Sequence, residues 1–142
     1  MNAPRSLVKL AVGFTLALIG SATVAKAELP PNAYLRLQTE AKEVFQIKAD
    51  EVSSKPASLF DWSTRIETVQ ATVQKVVRSK SGVKQGVKIV IRYERIIPKS
   101  GWAGPSPAPS LESGKVYPAY LEKAADGTFG LGAKGKSFVE IK

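Results

Sequence analysis

The chain has 142 residues, 21 lysines and arginines against 12 acidic residues, and a formal charge of +9. It contains no histidine and no cysteine. These absences exclude Ser-His-Asp and Cys-His catalysis, thiol chemistry, zinc–thiolate sites and disulfide stapling. They also exclude a lipid-modified N-terminal cysteine.

The first segment predicts a cleavable export signal over residues 1–27. Arg5 and Lys9 form a positive start, Leu10–Ile19 an apolar stretch, and Ala25-Lys26-Ala27 a small-x-small cleavage pattern. The charge-free stretch from Leu10 to Ala25 is 16 residues, diluted by Gly20, Ser21 and Thr23, and falls short of a bilayer span. Cleavage would leave a protein beginning at Glu28, periplasmic or extracellular, with no transmembrane segment. Arg5, Lys9 and Lys26 leave with the leader while all 12 acidic residues stay, so the charge falls to +6. No dense Lys/Arg run remains, which weakens the case for a nucleic-acid partner. The remaining length suits one domain with one core, expected as a monomer.

Residues 28–33 read as a linker, and the single domain is expected over 34–142. From Tyr34 to Lys42, Tyr34, Leu37 and Ala41 recur at helical spacing, which predicts one short N-terminal helix with Pro31 at its start. Phe45, Ile47 and Ala49 then alternate with polar residues as in a strand. Ser53–Trp62, with Pro56, reads as a loop, and Trp62 as a core residue. In the run Arg65–Arg78, Val69, Ala71 and Val73 share one face and Thr68, Gln70, Thr72 and Gln74 the other. Ile66 and Val76 break that parity, as β-bulges would. After a turn at Ser79–Gly86, Val87, Ile89, Ile91 and Tyr93 alternate in a strand that pairs with the previous one.

Pro98–Ser110 holds four prolines, two glycines and Trp102, and can be neither helix nor central strand. Strands resume over Lys115–Glu122, turn at Asp126-Gly127, and return at Thr128–Leu131; Phe138–Ile141 reads as a short edge strand. The pattern predicts a mainly β protein: a small antiparallel barrel of five to six strands with one short N-terminal helix.

No enzyme motif or cofactor motif is visible. Scattered carboxylates, and the Ser–Lys neighbours at Ser79-Lys80-Ser81 and Lys99-Ser100, leave a small hydrolase as one alternative. Gly130, Gly132 and Gly135 with Lys134 and Lys136 offer a weak anion nest. The leading candidate is the Trp102 loop. A tryptophan among glycines and prolines, with Lys99 beside it, suits docking of a protein or polysaccharide partner. Arg92 and Arg95, with Lys84, Lys88 and Lys99, form the densest basic region, and with Tyr120 nearby they offer an alternative anionic-polymer face.

The segments Thr68–Val76, Ile89–Tyr93 and Leu111-Glu112-Ser113-Gly114-Lys115-Val116-Tyr117-Pro118-Ala119-Tyr120-Leu121 resemble, in order and spacing, OB-fold modules of the netrin-like and metalloproteinase-inhibitor type. The resemblance spans roughly residues 67–122 and implies an OB-like barrel. Those modules are cysteine-rich, and the inhibitors act through an N-terminal cysteine that this chain lacks, so the resemblance implies fold and excludes inhibition by that route.

Overall fold

The computed structural model describes residues 27–141. The expected export leader over residues 1–27 therefore lies outside the described residues, apart from Ala27. The elements run α1 (Pro31–Glu40), β1 (Glu43–Ser58), β2 (Asp61–Ser79), β3 (Lys88–Ile96), β4 (Val116–Lys123), β5 (Phe129–Leu131) and a 3-10 turn at Lys134–Lys136. The protein is mainly β. Its five strands form one sheet that hydrogen-bonds into a closed ring in the order β1-β2-β3-β5-β4.

The sheet is mixed, not all antiparallel. Four pairings are antiparallel, and β3 meets β5 in parallel at Ile91 and Phe129. The chain crosses from β3 to β4 through the proline-rich segment before the β4–β5 hairpin returns it to the edge of β3, and that crossover fixes the direction of β5. No sixth strand forms at Phe138–Ile141. Phe138 instead turns inward and packs on Tyr93 with ring centroids 5.5 Å apart.

Alternation writes the core. Phe45, Ile47 and Ala49 on β1, Val69, Ala71 and Val73 on β2, Ile89, Ile91 and Tyr93 on β3, and Ala119 and Leu121 on β4 all point inward and are buried. Phe45 meets Phe129 edge-on at 6.1 Å. The β2 register slips against β1 near Val76, where a bulge was expected. At Ile66 the register is regular. The inward position there belongs to Glu67, in step with Val69, and Ile66 lies on the outer face.

The first strand is much longer than the sequence suggested, because Ser53–Ser58 continues β1. Pro56 is tolerated because β4 pairs with β1 only over Glu43–Lys48. Beyond that point β1 has β2 alone as a neighbour, and a missing N–H breaks no second ladder.

Helix α1 starts with Pro31 in its first turn. Its buried face carries Tyr34 and Gln38. The Gln38 amide donates to the carbonyls of Lys136 and Val139, both at 2.7 Å. At the helix C-terminus, Arg78 donates to the carbonyls of Ala41 (2.7 Å) and Gln38 (3.1 Å), filling acceptors that helix geometry leaves open. Among the described residues no helix is long and apolar enough to cross a membrane.

Candidate functional site

The proline-rich connection divides into two parts. Its second half covers one end of the strand ring. Ala108 and Leu111 are buried there, and the Tyr93 hydroxyl donates to the Pro109 carbonyl at 2.6 Å. Burial, followed by the charge of Glu67, pushes the Tyr93 phenol well above its usual range. Beneath this cover lies a polar cluster. Glu67 is fully buried; its Oε1 accepts from Ser54 Oγ and Arg95 Nε, both at 2.8 Å.

The first half of the connection stands outside. Trp102 N–H donates to the Lys99 carbonyl, closing a turn in which Gly101 takes φ 80°. That backbone region suits glycine at the third position of a type II turn. The turn aims Trp102 back along the loop, where its indole N–H reaches the Pro105 carbonyl at 3.2 Å. Trp102 neither plugs the ring nor projects freely: it is 43% exposed and forms one wall of a groove of about 660 Å³. Ile96, Pro105, Pro107 and Leu131 add apolar lining, and Glu94, Ser106 and Lys134 add polar groups.

Two features show how tightly this wall is built. A Cβ on Gly104 would lie 2.7 Å from Trp102 Cε2, so only glycine lets the indole lie flat. Across the groove, Lys134 adopts φ 49°, a left-handed conformation uncommon for a lysine. Lys134, read earlier only as part of a glycine-rich nest, is thus a groove residue.

The N-terminal segment anchors the same loop. Glu28 accepts from the Tyr34 hydroxyl (2.8 Å) and from Ser106 Oγ (3.0 Å). The Tyr34 bond in the first place holds the Glu28 carboxyl below the usual glutamate range. A depressed carboxylate favours the docked state above its ordinary pKa and loses that contribution as pH falls through its folded value. We expect acidification to release the segment around Glu28 from Ser106 before the sheet unfolds, visible as selective loss of protection at the Ser106 amide, which the Glu28 carboxylate holds.

The other expected site residues are dispersed. Lys99 is exposed and lines a separate hollow with Phe60, Trp62 and Ile97. Arg92 and Arg95 do not share a surface, because three residues along a strand reverse the face. Arg92 is exposed on the outer face, where its charge acts on Asp126. Arg95 faces inward, 22% exposed, and is spent on Glu67. Tyr120 sits half-buried on β4 and does not line the groove. Trp62 is 70% exposed, not core, because the segment that carries it extends β2 beyond the ring. Ser79 Oγ and the Ser81 N–H both donate to the buried carboxylate of Glu43, at 2.6 and 2.8 Å; the hydrogen bonds of this Ser–Lys neighbourhood run to an acid and not to a lysine. No family model matches the chain. No curated protein matches it either.

Proposed function

We propose that the protein is an exported, non-enzymatic binding module on an OB-like barrel, and that the Trp102 groove holds an apolar segment of a protein partner. The closed ring of five strands, with its long first hairpin, supports the OB-like reading. The groove carries the functional reading. Its apolar walls are a tryptophan, two prolines, an isoleucine and a leucine, and Glu94, Ser106 and Lys134 supply its polar groups. Such a lining rewards apolar contact, with a few polar groups to orient the occupant. Tryptophan in a preformed hollow is the residue type that most often dominates an interface.

The test is a pair of variants. Trp102→Ala removes the wall, and Gly104→Ala forces the indole out of place while deleting nothing. Both should lower partner capture about tenfold or more. Thermal unfolding should shift little, since the indole lies outside the core. A large stability loss in Trp102→Ala together with normal capture by folded Gly104→Ala would refute the site.

A further inference from the structure

A second surface stands apart from the groove. The β1–β2 hairpin runs past the ring and ends in the two-residue turn Leu59-Phe60, followed by Asp61 and Trp62. Leu59 is 84% and Phe60 95% exposed, and Trp62 is 70% exposed. Neither residue of this turn takes a positive φ, so its backbone suits most residue types and does not call for leucine or phenylalanine in particular. The polar groups of the tip are satisfied from within. Ser58 Oγ accepts from the Asp61 N–H at 3.1 Å, and the Asp61 carboxylate accepts from the Ser63 N–H and hydroxyl and the Thr64 N–H. Three large apolar side chains are left facing outward, with Lys99 beside Phe60 and Trp62 and Lys55 further down the same hairpin.

We propose that this tip is a membrane anchor, which inserts Leu59, Phe60 and Trp62 into the interfacial region of an anionic lipid surface. Shape and charge select this occupant. The tip is a convex point, which enters a fluid interface without a matching cavity. Tryptophan favours the depth where headgroups meet acyl chains. Lys55 and Lys99 flank the point, and the chain from Glu28 carries +6, which draws it to anionic headgroups and sets two copies of it against each other. The anchor's apolar residues are not those of the groove; Lys99, which opens the Trp102 turn, is the point where the two surfaces adjoin.

The experiment uses the chain from Glu28, which retains α1, all five strands and the whole core, so that the apolar leader cannot contribute. Its thermal transition is recorded first. Co-sedimentation is then measured with vesicles of phosphatidylcholine alone and with phosphatidylglycerol added. The expected result is binding to the anionic vesicles, weakened by salt, with a blue shift of tryptophan emission that persists in Trp102→Phe and so reports Trp62. The triple variant Leu59→Ser, Phe60→Ser, Trp62→Ser should keep its thermal transition and lose vesicle binding about tenfold or more. Four results would overturn the proposal: no binding to either vesicle, equal binding by the folded triple variant, tip-dependent self-association without vesicle binding, or tip-dependent binding of a soluble protein only. A triple variant that fails to fold is replaced by Phe60→Ser alone, at the most exposed of the three positions, read against the same outcomes.

Discussion

Arg95→Met is expected to destabilise the fold by about 3 kcal/mol, the cost of leaving one partner of a buried ion pair unmatched. Glu67 is fully buried and Arg95 is its nearest cation, at 2.8 Å. Methionine keeps most of the aliphatic volume, so the loss isolates the charge. Ser54 Oγ remains as a donor at 2.8 Å, but a neutral hydroxyl does not balance a carboxylate. The double variant Glu67→Gln, Arg95→Met should recover a large part of the loss, since it removes the stranded charge as well. Denaturant unfolding of the wild type, both singles and the double checks this. Full additivity of the two singles would mean that the pair does not act as a unit. The cluster also joins β1 through Ser54, β2 through Glu67, β3 through Arg95 and the proline-rich cover through Ser110, whose hydroxyl lies 3.4 Å from Glu67 Oε2. Arg95→Met should therefore loosen the cover, seen as faster hydrogen exchange around Leu111.

Gly135→Ala is the second large effect, expected to cost about 2 to 3 kcal/mol by overpacking. A Cβ at this position would overlap the Ser106 carbonyl oxygen and lie 2.7 Å from its carbon. Both are backbone atoms. They have little room to yield, because Ser106 is tied to Glu28 and Ala108, two residues on, is buried. The glycine is needed here for close approach of two chain segments, not for an unusual φ. The loop must lift from the 3-10 turn to admit the methyl group, and the groove widens as it does. Thermal unfolding and partner capture should both fall. An unchanged melting temperature would show that the loop does not rest on Gly135.

Much of the sheet was legible because a half-buried strand has a period of two. Val69, Ala71 and Val73, then Ile89, Ile91 and Tyr93, declare which face is inside. The proline-rich connection and the Asp126-Gly127 turn were legible because proline and glycine restrict or release the backbone locally. The misreadings came where burial depends on how far neighbouring strands extend. Pro56 looked like a loop signal, yet β1 continues through it because one of its edges is free there. Trp62 looked like core on composition alone, and is exposed because its hairpin outruns the ring. The inward turn of Phe138 depends on Tyr93, far away in sequence. Glu67 showed the correct parity for an inward position but was passed over as a charged residue; only its partner Arg95, brought alongside by β2–β3 pairing, makes its burial tolerable.

The site was legible in part. Trp102 and its glycines marked the loop, and the type II turn at Gly101 follows from local chemistry. The opposite wall could not be read, since Leu131 and Lys134 reach Trp102 only after β5 closes the ring. The same holds for Arg92 and Arg95, which sit together in sequence and on opposite faces of one strand.

The central claim is that the partner lies in the Trp102 groove. A photo-crosslinking side chain at Pro107, inside the groove, and a second at Lys88, on the exposed strand face, would test it directly in the folded chain from Glu28. The account predicts a crosslinked partner from position 107 that disappears when Gly104→Ala displaces the indole, and none from position 88. A crosslink from position 88, or one from 107 that survives Gly104→Ala unchanged, would contradict it.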